Sequence, residues 1–227
     1  MNNLKKPHPQ TGFTLIEIAI VLVIIGLLLG GVLKGQEMIV QGRIKNVIAD
    51  FNGVQAAFYG YQDRYRAIPG DDGGAAARWP AVVGGAAQAV SGGGTGAIAG
   101  NYNVAAAALD VAKESNLFWH HLRRAGFIPG VIEGNDSGAP PLNAAGGMVG
   151  VQNGALGLAG VVLCSANLPA KIAMAVDTQL DDGVGTTGQI RGQDQGGATN
   201  PAVGAATADA DAYVDDGSAL YVICKSL

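Results

Sequence analysis

Charge is scarce in this chain. Only 14% of its 227 residues are Asp, Glu, Lys or Arg, and the 14 basic residues are scattered without a block interleaved by aromatics. That distribution excludes the electrostatic footprint of a nucleic-acid binder. Metal-ligating residues are equally sparse. There are two cysteines and three histidines (His8, His120 and His121), and no CxxC pair, which argues against a zinc site. The catalytic signatures G-x-S-x-G, Walker A and HExxH are missing, and the glycine-rich runs lack the strand-to-helix setting that phosphate binding requires. These gaps point away from an enzyme. No strict collagen or solenoid period accompanies the 36 glycines. Abundant Gly with little charge suits a loop-rich outer domain rather than a helical bundle.

Hydrophobic length is what the chain does have. From Phe13 to Leu33 the sequence is apolar apart from Thr14, Glu17 and small residues. About 20 apolar helical residues cross a hydrocarbon core of roughly 30 Å. A carboxylate five residues into such a run costs about 2.5–3.5 kcal/mol even on lenient insertion scales, so Glu17 is expected to have a partner. Lys5 and Lys6, with no acid beside them, hold the first twelve residues on the cytoplasmic side. A secretory signal would place a shorter apolar core before its cleavage site. The alternative is an ordinary single-span anchor with an incidental Glu.

The stretch GFTLIEIAIVLVIIGLLLGG resembles the N-terminus of type IV pilins and of type II secretion pseudopilins. The resemblance covers Lys5–Gly35 and implies the following expectations. A prepilin peptidase cuts between Gly12 and Phe13, and the new amine of Phe13 is N-methylated. Glu17 becomes the fifth residue of the mature chain and pairs with the Phe13 amine of a neighbouring copy during assembly. Loss of Lys5 and Lys6 leaves 12 Lys+Arg against 18 Asp+Glu, a net charge of −6 before the amine is counted. Many family members carry a proline near the end of the apolar half. Here Lys34 stands at that place, with Gly26, Gly30, Gly31 and Gly35 nearby, where the helix could unwind or pack closely against others.

Beyond the apolar run, Val40, Ile44, Val47, Phe51, Val54, Phe58, Tyr61 and Tyr65 recur at spacings of four and three. This stripe predicts that one helix continues to about Arg66, roughly 80 Å in all at 1.5 Å per residue. It reads as the buried face of a helix laid on a sheet, with a coiled-coil seam as the alternative. Ile68-Pro69-Gly70 is its expected stop. Residues 71–100 read as an extended Ala-Gly loop. Glu114–Ala125 reads as a short helix capped by Gly126, with Leu117, Phe118, Leu122 and Ala125 as its apolar face. His120 and His121 point about 100° apart on that helix and serve as surface or packing residues.

Strands are expected at Met148–Gln152, Leu156–Cys164, Gly188–Arg191 and Ala219–Lys225. A helix over Pro169–Leu180 is capped by Asn167 and stopped by Gly183. A leading helix followed by runs of strands predicts an α+β fold, the helix packed on a C-terminal antiparallel sheet. The segments KIAMAVDTQLDDG and TGQIRG are also similar to a subset of bacterial prepilin-like proteins. Cys164 and Cys224 lie far beyond the span and read as a disulfide, as the family resemblance also implies; two separate buried thiols are the alternative. The acidic groups Asp177, Asp181, Asp182 and Asp209, Asp211, Asp215, Asp216 read as solvated loop carboxylates. The first three are weak calcium candidates, since some pseudopilins hold calcium, but neither group has EF-hand spacing.

The expected organisation is therefore a leader (1–12), a membrane or filament-core helix (13–35), its amphipathic continuation (36–68) and a glycine-rich head (69–227). The resemblance implies a non-enzymatic structural subunit of a type IV pilus-like filament. Its partners would be copies of itself, a prepilin peptidase, the inner-membrane assembly platform and the membrane that holds the precursor. The head would face the periplasm before export into an extracellular filament. A minor pseudopilin of a type II secretion system is the first alternative, and a membrane-tethered binding module that never polymerises is the second.

Overall fold

The computed structural model describes residues 12–83, 85, 87–105, 109–205 and 213–227. The leader's first eleven residues and the acids Asp209 and Asp211 lie outside these described residues. Two compact units divide between Gly42 and Arg43.

The first unit is helical. Helix α1 is Leu15–Tyr65 and enters the second unit at Arg43. Its apolar residues up to Leu33 are solvent-exposed in the isolated chain, Leu15 at 92%. Among the described residues this is the one helix long and apolar enough to cross a membrane. Helical geometry is kept through Gly30, Gly31 and Gly35, so the unwinding that glycine would permit does not occur here.

In the second unit the predicted stripe is the buried face of α1. Ile44, Val47, Phe51, Val54, Phe58 and Tyr61 are buried, and Tyr65 is half-buried. Helix α1 stops earlier than Pro69 requires: Arg66 donates to the Gln62 carbonyl and then adopts a left-handed φ of 54°. A one-turn helix α2, Ala75–Arg78, follows, and then α3, Glu114–Arg124. Gly126 closes α3 at φ 77°, with Phe127 N–H returning to the Leu122 carbonyl. Phe58 of α1 stacks on Phe118 of α3 at 6.3 Å.

The remaining elements are β1 (Val149–Ala155), β2 (Leu158–Pro169), α4 (Ala170–Leu180), β3 (Ile190–Asp194) and β4 (Leu220–Ser226). The strands form one antiparallel sheet in the order β1-β2-β4-β3. This is the α+β plan expected from the sequence. Leu156 and Gly157 join β1 to β2, both at positive φ (51° and 80°), which suits the right-handed twist of a tight hairpin. A leucine in that conformation is strained. It is held by its burial and by its N–H bond to the Gly204 carbonyl.

Side-chain alternation gives the sheet two buried faces. Val162, Cys164, Val222 and Cys224 share one cluster with Tyr102 and Val203. On the other face Tyr221 and Ile223 are in phase with Lys225, whose Nζ reaches Gln55 Oε1 on α1 at 2.9 Å. That face therefore meets the helix. Cys164 and Cys224 are directly opposite in register and joined by a disulfide across a sequence separation of 60.

One expectation fails at α4. Asn167 does not cap that helix: it sits in β2 at φ 56°, beside a register shift between Ser165 and Leu168, and its Oδ1 accepts from Gln195 Nε2 and Asn200 N. Pro169 occupies the cap position instead, without a side-chain bond.

Two stability outcomes follow from this packing. Phe51→Ala removes a ring that is 1% exposed and should cost about 3–5 kcal/mol in denaturant unfolding of the full chain in detergent. Replacing both cysteines by Ala should cost on the order of 4 kcal/mol. A change below about 1 kcal/mol in either would mean these groups are not core elements.

Candidate assembly site

Gly12, Phe13 and Thr14 precede α1 without regular structure, and Phe13 is 85% exposed. Thr14 stands immediately before the first helical residue, and Glu17 is the third residue of the helix. Their side chains close a reciprocal cap. Glu17 Oε2 accepts from Thr14 N at 2.8 Å and from Thr14 Oγ1 at 2.7 Å, and Glu17 N–H points back to Thr14 Oγ1 at 3.4 Å.

From sequence, the partner expected for Glu17 is the Phe13 amine of a neighbouring copy. The structure gives it a local partner, and the signal was present: Thr14-Leu15-Ile16-Glu17 has the spacing of a capping box. The cap satisfies backbone and side-chain donors at the helix start, and it spends one carboxylate oxygen on both Thr14 donors. No described residue donates to Oε1. A carboxylate at this end of a helix is also favoured by the helix dipole.

Residues 7–33 match the model of the prokaryotic N-terminal methylation motif. This chain bears a prepilin-type N-terminus. The motif supports a type IV pilin or pseudopilin-like protein, held in a membrane as a precursor by its apolar helix and directed to prepilin processing and filament assembly in general. No curated protein matches the chain.

The head holds the other residues singled out by sequence. Asp177, Asp181 and Asp182 each bring a carboxylate oxygen within 4.8 Å of the others. Asp182 is exposed, as expected of a solvated loop acid, and Asp181 is half-buried, but Asp177 departs from that expectation. Asp177 is fully buried, its Oδ1 taking Gly183 N–H and its Oδ2 the Tyr213 hydroxyl at 2.7 Å. Asp181 Oδ2 takes the N–H groups of Gln189 and Ile190, while Asp182 bonds Val184 N and Thr187 Oγ1. Five of the six oxygens thus already hold protein donors, a poor fit to a calcium cage, which needs free oxygens. Among the second acidic group, Asp216 caps Ser218 and Ala219.

The Ala-Gly segment is not extended. Its loop folds amide-first onto two buried acids. Thr95 N and Gly96 N bond Asp71 Oδ1 and Oδ2 at 2.8 and 2.6 Å, while Gly93 N and Ala99 N bond Glu114 Oε1 and Oε2, both at 2.7 Å. Gly92 is required here, since a Cβ would run into the Gly70 carbonyl. The inward N–H groups are filled by the protein's own carboxylates, which leaves no phosphate cradle. Beside this clasp, Asp72 accepts from Tyr61 Oη at 2.6 Å and pairs with Arg78. Burial opposes its ionisation, but these two bonds outweigh that and hold its pKa below the ordinary value.

Both histidines of α3 are buried packing residues. His121 Nδ1 accepts from Gly70 N at 2.9 Å and Nε2 donates to the Val90 carbonyl at 2.8 Å, which fixes a neutral tautomer between two loops. Burial lowers its pKa. His120 Nδ1 meets Ser137 Oγ at 2.7 Å, and its buried Nε2 has no partner among the described residues. Burial, and beside it the charges of Arg124 and Arg123, lowers its pKa to about 4.

A histidine harder to protonate when folded destabilises the fold as pH falls. The unfolded chain takes up the proton near pH 6.5, while the native state resists until about pH 4 for His120. Between pH 7 and 5 the head should lose on the order of 1–2 kcal/mol through His120, seen as a melting-temperature drop of roughly 2–4 °C per kcal/mol. His120→Gln should flatten that slope, and a slope identical to wild type would reject the assignment.

Proposed function

We propose that this chain is the structural subunit of a type IV pilus-like filament. The precursor sits in the bacterial inner membrane with its head in the periplasm. A prepilin peptidase cuts between Gly12 and Phe13, and the Phe13 amine is methylated. The observation that carries this reading is the asymmetric Glu17 carboxylate, one oxygen held by Thr14 and the other open. In the filament core the open oxygen takes the Phe13 ammonium of an adjacent copy. A charge-assisted bond in a water-poor setting is strong, whereas a subunit out of register leaves both charges unpaired and strongly disfavoured. Adhesion between copies comes from Leu15–Leu33, apolar residues that are exposed in the single chain. The assembly platform supplies subunits from the membrane.

Glu17→Ala should leave insertion intact and cut filament yield about tenfold or more, the effect of losing ~1.4 kcal/mol or more of pairing. Wild-type yields from that variant would sink the pairing role. Gly12→Val should leave an unshifted precursor band on gels. Sheared surface fractions decide the system. Fibres there support a pilus, whereas processed polymer confined to the periplasm supports the type II pseudopilus. A chain that stays uncleaved and monomeric in detergent supports a tethered binding module.

A further inference from the structure

The chain holds two Asn-Gly pairs, Asn52-Gly53 and Asn153-Gly154. In such a pair the backbone amide that follows the asparagine can attack its side chain, because glycine neither shields that nitrogen nor restricts its rotation. Both asparagines are exposed, so exposure does not separate them. Their backbones do.

Gly53 lies within α1, where its N–H is bonded to the Ala49 carbonyl four residues back. Phe51 and Val54, on either side of the pair, are buried in the head. Freeing the Gly53 amide therefore means opening the helix against its own core. Gly154 stands near the end of β1, an edge strand of the sheet. Asn153 pairs with Val161 and Ala155 with Leu158, and the register passes over Gly154 between them. A bulged residue of this kind stays outside the ladder. Its carbonyl accepts from Gln152 Nε2 at 2.7 Å, and its φ is 70°. Even an added Cβ would meet nothing closer than 3.6 Å, so the backbone has room to turn.

We propose that Asn153 is a site of spontaneous conversion to aspartate and isoaspartate, and that α1 protects Asn52 from the same reaction. The Gly154 amide nitrogen attacks Asn153 Cγ. The N–Cγ bond forms, the Cγ–Nδ2 bond breaks, and ammonia leaves with the amide proton. Water then opens the cyclic imide. Attack at Cγ gives aspartate, and attack at the Asn153 backbone carbonyl gives isoaspartate, in which the main chain runs through the former side chain. Nothing is oxidised or reduced, and water is the co-reactant. Either product adds a negative charge to a chain whose formal charge is −4. Isoaspartate also lengthens β1 by one backbone carbon just before the turn where Leu156 and Gly157 donate to the Gly204 and Ala205 carbonyls. The head thus ages first at that clasp.

Purified full-length protein in detergent, held at mildly alkaline pH and sampled over weeks, tests this by peptide mapping. Peptides spanning Asn153 should gain the mass of OH exchanged for NH₂, and isoaspartyl methyltransferase should label them. Conversion at Asn52 should be at least about tenfold slower, the effect of ~1.4 kcal/mol of added barrier. In urea, where neither backbone is held, the two rates should converge. An Asn153 that stays intact while a synthetic peptide of the same local sequence converts overturns the proposal. So does conversion at Asn52 as fast as at Asn153 in the folded chain. Rates that stay apart by the same factor in urea overturn it too, because sequence rather than fold would then set the difference.

Discussion

A carboxylate at the edge of a membrane-length apolar run has to be satisfied by something other than water. In this chain Thr14 satisfies half of it. Its backbone N–H and its hydroxyl converge on a single oxygen of Glu17, within the first turn of the helix, where the helix dipole also favours negative charge. The precursor therefore carries its acid at a lower cost than an unpaired carboxylate in hydrocarbon. The remaining oxygen is what makes the helix end directional, because only a second donor can complete it.

The head is built to hold the second half of the helix. One face of the sheet is filled by the disulfide and its neighbours, and the other is turned to α1, where Lys225 reaches Gln55. Across the sheet's central pair of strands the covalent bond fixes the register that brings Ile223 and Tyr221 onto the helix side. At the far end of α1, Tyr61, Asp72 and Arg78 tie the helix to the glycine-rich loop, and His121 bridges that loop to Gly70. The charges of the head are few, and many of them are spent on holding backbone rather than on facing solvent.

Much of this was legible in the residues. The four-three spacing of Ile44 to Tyr61 is a direct consequence of helical periodicity, and those positions are the buried ones. The four strands lie within a few residues of their expected places, since short β-branched and apolar runs such as Val161-Val162-Leu163 and Tyr221-Val222-Ile223 favour a buried sheet. What could not be read was set by tertiary contact. Asp177 appears among exposed acids in sequence, but Tyr213, 36 residues on, draws it inside. Asn167 has the chemistry of a cap, yet Gln195 and Asn200 claim its side chain. Glu17 is the opposite case. The Thr14-to-Glu17 capping spacing is visible in the sequence, and this local partner stands beside the one that the cost of a charge in lipid demands.

The loop over Asp71 and Glu114 is fastened through amide hydrogens that every residue except proline possesses. Beneath the amides the Ile98 side chain is buried, and glycine is required at Gly92, where added bulk meets backbone, and favoured at Gly94 and Gly96 by positive φ. Its exposed non-glycine positions can change their outward chemistry without loosening it. If these heads coat a fibre, it offers a patch of surface free to drift in composition while the scaffold beneath it stays put.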